Sequence, residues 1–516
     1  MSTFHGLETA RRAINTQQSA IHTTGHNIAN ANTQGYSRQR VNFTPTEAFP
    51  NPGFNKPSIP GQLGTGVKAG EIERIRESFL DLQYRKENNK HGYWSARHTA
   101  LEKIEDIMNE PTEDGIAQTM DRFWQSLQDL SVYPEDSGAR SVVRQNGIAL
   151  AETFNYTAQS LEAVQRDYKN QLGVENTRVN SLLDQINNVN QQIASVEPHG
   201  YLANDLYDAR DNLVDELSEY VNISVEQVSS GGMAKENAAG RYTIKLLNEH
   251  GQDMGVTLVN GRSLEAARFE LSYDEDSGLI DGISVGGETF DPEEFNSYGK
   301  LKGSIETHGY LADGEEFGLI PEMMQSIDQM VYAFTSAFND VHESGMSLYE
   351  MANGEESIAF FDFAGGLNIS AGNVKGAALG LKVTDDILGD LDKIAAATVT
   401  GGEAFSGDGS NALALANVKD NPLNFGDSTT NVQSFYQGVI GALAVSTNEA
   451  ERMSRNTDQL RESVDDRRQS ISGVSLDEEM TNLIKFQHAY NAAARNMTTI
   501  DEMLDRIING MGVVGR

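Results

Sequence analysis

His22 and His26, one helical turn apart, are the first side chains whose type and spacing could hold a metal ion. A helix places residues i and i+4 on one face, but two nitrogens make only half of a tetrahedral site. Neither the glutamate of an HExxH motif nor a third ligand lies near them, so they read as polar residues on a helix face. Gly282-Ile283-Ser284-Val285-Gly286 spells a nucleophile elbow without the helix that must follow the serine; set between turn signals, it reads as a hairpin strand. Asp274, Asp276 and Gly278 open like a calcium loop, yet its last position falls on Val285, where a bidentate glutamate belongs, and they read as a turn. Gly61, Gly64, Gly66 and Gly70 lack the dinucleotide spacing and no P-loop lysine follows them. Asp477, Glu478 and Glu479 form a carboxylate cluster fit for acid–base work, but at a helix start the favourable dipole is its commoner cause. The chain has no cysteine, which removes thiolate nucleophiles, thiolate metal sites and disulfides. The expectation is a protein that is not an enzyme, with no catalytic, cofactor-binding or metal-binding residues.

With no chemistry to position, the elements themselves carry the information. A chain of 516 residues is too long for one core, and about three or four domains of roughly 100 to 200 residues are expected. The formal charge of −35 argues against nucleic acid or an anionic membrane as partner, since both require local basic potential. The acid is unevenly placed: Met1 to Arg40 carries Arg11, Arg12, Arg38 and Arg40 against the single Glu8. Arg11, Arg12, Asn15, Gln17, Gln18, His22 and His26 interrupt any apolar core of a cleavable signal, and no stretch is long enough to span a membrane. Export would need a route that reads an uncleaved terminus.

Both ends of the chain are helical in pattern. Leu7, Ile14, Ile21 and Ile28 recur every seven residues, with Ala10, Ala13, Gln17 and Ala20 on the flank of the same narrow stripe. At the other end Leu476, Met480, Leu483, Phe486, Tyr490, Ala493, Met497, Ile500, Leu504 and Ile507 follow steps of three and four. Ser475 with Glu478 reads as a capping box that starts this helix, and Gly510 and Gly512 stop it. Burying the four residues of the N-terminal stripe returns about 6 to 12 kcal/mol. Ordering some 25 residues of backbone costs on the order of 25 kcal/mol. The terminal helices are therefore expected to be largely disordered in the free chain and to fold against each other and against neighbouring subunits on assembly.

Between the ends, Tyr168 to Val196 and Val432 to Ile471 read as long helices, the first stopping near Pro198 and Gly200. Further helices are expected over about Glu71 to Met108, Asp205 to Tyr220 and Gly318 to His342. From Val221 to about Ile305 the period becomes two, with Asn260-Gly261 and Asp276-Ser277-Gly278 turns, which predicts antiparallel strands. A Gly-, Asn- and Asp-rich region continues to Asn424. Thr44 to Gly70, with Pro45, Pro50, Pro52, Pro57 and Pro60, reads as an extended arm or hairpin. Asn30, Asn32, Gly35 and Tyr36 end the first helix: Asn and Gly tolerate left-handed backbone, and Tyr36 is placed to cover the turn.

The run from Gly25 through His26, Asn27, Ile28, Ala29, Asn30 and Ala31 to Gly35-Tyr36-Ser37-Arg38-Gln39-Arg40-Val41 resembles the N-terminal signature of flagellar rod, hook and hook-associated proteins. Its Ser-Arg-Gln-Arg-Val ending is similar to the hook-associated protein 1 branch in particular. Ser472 to Met480, continuing through Leu483 to Arg495, is similar to the other end of the same family. Gln34 stands where the family often has Pro, and Asn496 where it has an apolar residue. The resemblance implies a structural, exported component joining hook to filament, assembled at the distal hook end with copies of itself. It implies as partners the hook protein, hook-associated protein 3 and an export chaperone on the C-terminal helices, and as location the extracellular flagellum, after synthesis in the cytoplasm and type III export. It does not reach Val225 to Asn424.

The expected fold is α+β and multi-domain: an α-helical coiled coil or bundle formed by both termini, with an antiparallel β-rich middle inserted. Residues 1–40 with 475–516 would form the axial coiled coil, and 41–70 the arm. Residues 71–222 with 428–474 would form a long-helix bundle, and 223–427 a β-rich outer region containing the helix at about 318–342. The assembly interface is expected at Leu7, Ile14, Ile21, Ile28, Asn30, Asn32, Gly35, Tyr36, Leu476, Met480, Leu483, Phe486, Tyr490, Met497, Ile500, Leu504 and Ile507. The competing functions are a hook or rod protein of the same family, and an adhesin or polysaccharide-degrading enzyme displayed by the β-rich middle.

Overall fold

The computed structural model describes residues 3–50, 61–108, 115–354, 357–365, 369–399, 404–426 and 428–510. Helix α1 (Thr3–Ala29) leads into an antiparallel hairpin, β1 (Gln39–Pro45) and β2 (Val67–Arg74), in which Gln39 pairs with Arg74 and Pro45 with Val67. Three helices follow: α2 (Ser78–Met108), α3 (Ile116–Val132) and α4 (Ser137–Val196). Helix α4 ends where Pro198 and Gly200 stop it, and α5 (Asn204–Tyr220) runs next. Residues 71–74 are strand and not the start of a helix as their sequence suggested, because pairing with β1 satisfies their backbone up to Arg74. Pro52, Pro57 and Pro60 of the expected arm, and the helix stop at Gly512, lie outside the described residues.

The chain groups into two compact units, one formed by Met1–Asn89, Val179–Arg268 and Asp458–Arg516, the other by Lys90–Arg178 and Phe269–Thr457. Three of these four divisions fall inside helices, and the fourth, at 268/269, falls between strands. Helix α4 alone has 60 residues and measures about 90 Å at 1.5 Å per residue, more than one core can cover, so its two ends belong to different units.

The first unit holds α1, the β1–β2 hairpin, α5 and a four-stranded antiparallel sheet in sequence order: β3 (Ile223–Val228), β4 (Arg241–Leu247), β5 (Asp253–Asn260) and β6 (Glu265–Ala266). Alternation in β4 buries Tyr242, Ile244 and Leu246 on one face. The Asn190 amide of α4 reads that strand edge, donating to Tyr242 O and accepting from Tyr242 N–H. The last helix, α13 (Leu476–Gly510), lies along α1.

The second unit is built on helices. Its sheet has β7 (Phe269–Tyr273), β8 (Ile280–Val285), β9 (Glu288–Phe290), β10 (Tyr310–Ala312) and β11 (Glu315–Phe317), with α6 (Lys300–His308) between β9 and β10. The pairing is antiparallel except where Tyr310 runs parallel to Ile280, a departure from the all-antiparallel middle expected. The core joins α2, α3, α4 and α7 (Leu319–Ser344), with five phenylalanines, Phe123, Phe334, Phe338, Phe360 and Phe361, at its centre. Their ring centroids lie 4.8 to 6.5 Å apart. Among the described residues from 345 to 427, expected in the β-rich region, four short helices form: α8 (Leu348–Asn353), α9 (Ala377–Gly380), α10 (Asp385–Gly389) and α11 (Ser410–Asn417). Only two- and three-residue strand pairings accompany them among the described residues. Ala377, Leu381, Ile387, Ile394 and Leu415 are fully buried in the helical core, which explains why this segment belongs with the helices. Helix α12 (Val432–Ser472) runs back toward α13. Among the described residues no helix is long and apolar enough to cross a membrane.

Candidate functional site

The terminal helices meet the rest of the first unit at the end of α1. There the Asn30 side chain donates to His26 O at 3.0 Å, the same carbonyl that accepts from the Asn30 N–H at 3.1 Å. The chain then turns at Gly35, whose φ of 72° is left-handed and whose missing Cβ leaves room for the Asn212 side chain. Asn30 and Asn32 were expected to share that conformation; among the described residues only Leu264 and Asp313 outside glycine have positive φ. Asn30 closes the last turn with both its side chain and its own N–H, without left-handed backbone, and Asn32 is exposed. Tyr36 covers the turn as expected, its hydroxyl donating to Asn27 Oδ1 at 2.8 Å and its ring edge-on to His26 at 5.6 Å. Burial, reinforced by Asp205, Asp208 and Glu479, pushes the Tyr36 phenol above its usual range, so it stays a donor.

Asn27, buried to 1% exposure, acts as a splice. Its Oδ1 also accepts from Gln39 N–H, and its Nδ2 donates both to Gln39 O at 2.8 Å and to Glu479 Oε2 at 3.1 Å. One amide thus pairs with the first residue of β1 and with the start of α13. Arg38 completes the clasp: Nε reaches Glu479 Oε1 at 2.8 Å and Nη1 reaches Glu478 Oε2 at 2.6 Å. Its own N–H donates to Ser472 O, and its carbonyl accepts from Ile75 N–H. The capping box expected at Ser475 is absent, because Glu478 and Glu479 are turned onto Arg38. The carboxylate cluster therefore ties two ends of the chain together beyond any dipole role.

Beneath the clasp lies a buried ion network. Helix α5 presents Asp208, Asp211 and Asp215 on one face, spaced by three and four. Arg74 binds Asp208 at 2.8 Å and Asp211 at 3.0 Å, and Arg76 binds Asp81 at 2.7 Å and Asp211 at 3.4 Å. Arg85 binds Asp215 at 2.6 Å, and Arg468 of α12 reaches Asp215 as well. Burial alone would raise the Asp211 carboxyl, but Arg76, Arg74 and Arg85 together hold it well below the usual carboxylate range. Asp208 moves the other way, because burial outweighs Arg74 and the hydrogen bonds from Ser37. Ser37 N–H donates to Asp208 and Gln39 Nε2 to Asp205, so the network fixes where the terminal pair leaves the helices. A polar cavity of about 1070 Å³ opens beside it, lined by Arg76, Tyr84, Arg468 and Ser472. Asp81, Asp208, Asp211 and Asp215 are each held by an arginine that stays charged, so the cluster fixes the surrounding chain in place.

The structure brings the terminal stripes together but covers them only in part. The fully buried positions of α1 are Ala10, Thr16, Ala20, Thr23, Thr24 and Asn27, while Leu7, Ile14, Ile21 and Ile28 are half-buried. The reason is that α1 is flanked by two partners, α13 on one side and the hairpin on the other. Thr16 donates to Val67 O, Phe43 meets Phe486 edge-on at 5.8 Å, and Gly6 faces Ile500. On α13, Leu483, Phe486, Tyr490, Met497, Ile500 and Leu504 are half-buried, and Leu476, Met480, Ile484, Met503 and Ile507 are about half exposed, at 46 to 51%. Glu479 is the one buried side chain of that helix among the described residues. The four N-terminal arginines are each matched by acid: Arg11 and Arg12 with Glu8, Arg38 with Glu478 and Glu479, Arg40 with Glu73.

Sequence reasoning placed Asn27, Arg38 and Gln39 in the N-terminal signature without giving them these bonds, and did not single out Arg74, Arg76 or the α5 aspartates. The signal available for the aspartates was the spacing of Asp205, Asp208, Asp211 and Asp215 on one face of the helix. His22 is exposed and His26 contacts Asp205 at 3.4 Å. Among the described residues no group of three His, Cys, Asp or Glu is placed to hold a metal. Gly282 to Val285 lie in β8, and Asp274 Oδ2 accepts from Ser277 N–H in a turn.

Three family models match the chain: the helical domain of flagellar hook-associated protein FlgK over residues 101–361, the C-terminal region of flagellar basal body rod FlgEFG proteins over 467–510, and the flagella basal body rod protein over 7–36. The flagellar hook-associated protein 1 of Bacillus subtilis is 46% identical over 516 residues, covering all of both chains. That of Escherichia coli is 25% identical, over 98% of this chain and 99% of its own. The solved structure of the flagellar hook junction protein FlgK from Burkholderia pseudomallei superposes with a TM-score of 0.57 at 15% identity, over 76% of this chain and all of that one. At that identity it shows the fold alone.

Proposed function

The chain belongs to the flagellar hook-associated protein 1 family, and from that premise we propose that the clasp between α1, β1 and α13 orients a terminal helix pair for packing at the hook–filament junction. The chain is a structural component of the bacterial flagellum that joins hook to filament. The observation that carries the proposal is the contrast along the terminal pair. Its base is locked by Asn27, Arg38 and Glu479, while its apolar faces stay uncovered along α13, with Met480, Ile484, Met503 and Ile507 about half exposed. An amphipathic helix pair with one face open has room for the same pair from neighbouring copies.

Membership of the axial family supports self-assembly. The hook protein and hook-associated protein 3 are the partners proposed on either side, and an export chaperone is proposed to cover the α13 stripe before export, since exposed apolar helices aggregate. The cysteine-free chain suits type III export to an extracellular position. The ends distal to the clasp gain their full order on assembly, where neighbouring copies supply the missing contacts.

Electron microscopy of cells lacking this chain tests the reading: hooks without filaments, with filament subunit shed to the medium, are expected. Normal filaments in those cells would sink it. Met480→Asp separates this function from a displayed adhesin or enzyme, since it should stop filament attachment while leaving an activity housed in residues 225–424 intact. Purified chain that grows into long tubes would instead favour a hook or rod role.

A further inference from the structure

The second unit carries an open groove of about 460 Å³ between α2, α7 and α12, remote in sequence from the terminal stripes. Leu101, Ile104, Met323, Phe435, Val439 and Leu443 supply its apolar walls. Along its floor α12 places Ser434, Gly438, Ala442 and Ser446, one small residue every four. A Cβ added at Gly438 would meet nothing within 4 Å, so the space above this ridge is open. The ridge is about 18 Å long at 1.5 Å per residue, room for roughly three helical turns, and small residues spaced by four let a second helix approach closely.

The charge around the groove selects the occupant. Glu322 is the one charged residue lining it. Exposed Glu105 lies one turn beyond Leu101 on α2, and exposed Glu449 one turn beyond Ser446 on α12. The α2 cations nearest Leu101 in sequence are committed elsewhere, Lys103 over the Tyr168 ring and Arg97 to Glu306; on α12 the first, Arg452, comes a turn past Glu449. We propose that this groove docks an amphipathic helix of another protein, with apolar residues at i, i+4 and i+7 flanked by lysine or arginine. A second copy of this chain fits less well, since its uncovered helix, α13, carries Asp477, Glu478, Glu479, Asp501, Glu502 and Asp505 against Lys485, Arg495 and Arg506 and so stays net acidic. The proposal is independent of how the terminal helices assemble.

Fluorescence anisotropy on the full chain tests it with labelled helical peptides: an amphipathic Leu/Lys sequence, a scramble of the same composition, and the Leu/Glu counterpart. The Leu/Lys peptide should bind at least about tenfold more tightly than the other two, and Ala442→Trp, which fills the groove from an exposed position, should weaken it by about tenfold. Asn448→Trp, exposed on α12 outside the lining, should leave binding unchanged. Glu105→Lys with Glu449→Lys should weaken it by about fivefold and flatten its salt dependence. Equal binding of the scramble, or no effect of Ala442→Trp, overturns the proposal. So does sedimentation showing a dimer of this chain that Ala442→Trp dissolves, which would give the groove to a second copy.

Discussion

Replacing Arg38 with alanine isolates the clasp. The substitution leaves Glu479, whose side chain is 3% exposed, with only the 3.1 Å bond from Asn27. Breaking a fully buried ion pair costs about 3 to 5 kcal/mol. Arg38 is itself 19% exposed and Asn27 remains, so we expect about 2 to 3 kcal/mol. Amide hydrogen exchange on the purified chain reads this directly. In the parent, amides near Thr23 and Asn27 in α1 and near Leu483 in α13 should be protected, while those near Leu7 and Met503 exchange close to the unprotected rate. Arg38→Ala should speed exchange of the protected set about 30- to 150-fold, the equivalent of that free energy. Arg40→Ala, whose partner Glu73 forms an exposed pair, is the control and should change exchange by less than about threefold. Combining Arg38→Ala with Glu479→Gln should recover about 1 kcal/mol or more, because the stranded charge is gone. An Arg38→Ala rate within twofold of the parent, or strict additivity in the double variant, would refute the clasp. Strong protection at Leu7 and Met503 in the free chain would refute ordering on assembly.

Met480→Asp introduces charge at a position 51% exposed in the single chain. It should shift unfolding by less than about 0.5 kcal/mol yet abolish filament attachment, scored by swarming and by counting bare hooks. Phe338→Ala removes a ring at the centre of the five-phenylalanine cluster and should cost about 3 to 5 kcal/mol in urea unfolding. His342 is buried and neutral: its Nδ1 donates to Ile358 O at 2.7 Å and its Nε2 accepts from Ala395 N–H at 3.0 Å. Burial pulls its pKa down to about 4. The unfolded chain therefore binds the extra proton first as pH falls, so stability is full above about 6.5 and is lost progressively toward pH 4, by roughly 3 kcal/mol. Thermal melts across that range should show this slope, and His342→Gln should flatten it.

The groove and the clasp differ in how much of each could be read from the residues alone. The apolar steps of α1, α13 and α12 announce themselves within any fifteen-residue window, because periodicity is a local property of the chain. Tyr36 over the Gly35 turn was legible for the same reason, as were the hairpin strands at Asn260 and Asp276. The partners of the clasp were not: Arg38 and Glu479 stand 441 positions apart, and Arg74 and Asp208 stand 134 apart. Nothing in the neighbouring residues of either member marks its partner.

The amino-acid order thus determined that both extremities are amphipathic helices, that no thiol chemistry is available, and which motifs relate the chain to axial flagellar proteins. Tertiary structure alone decided which face of α1 is covered, since the hairpin and α13 compete for it. It also decided that residues 345–425 join the helical core and that three aspartates of α5 become the anchor of the terminal pair. Burial and long-range pairing depend on which surfaces meet in space, and nothing in a window of neighbouring residues encodes that meeting.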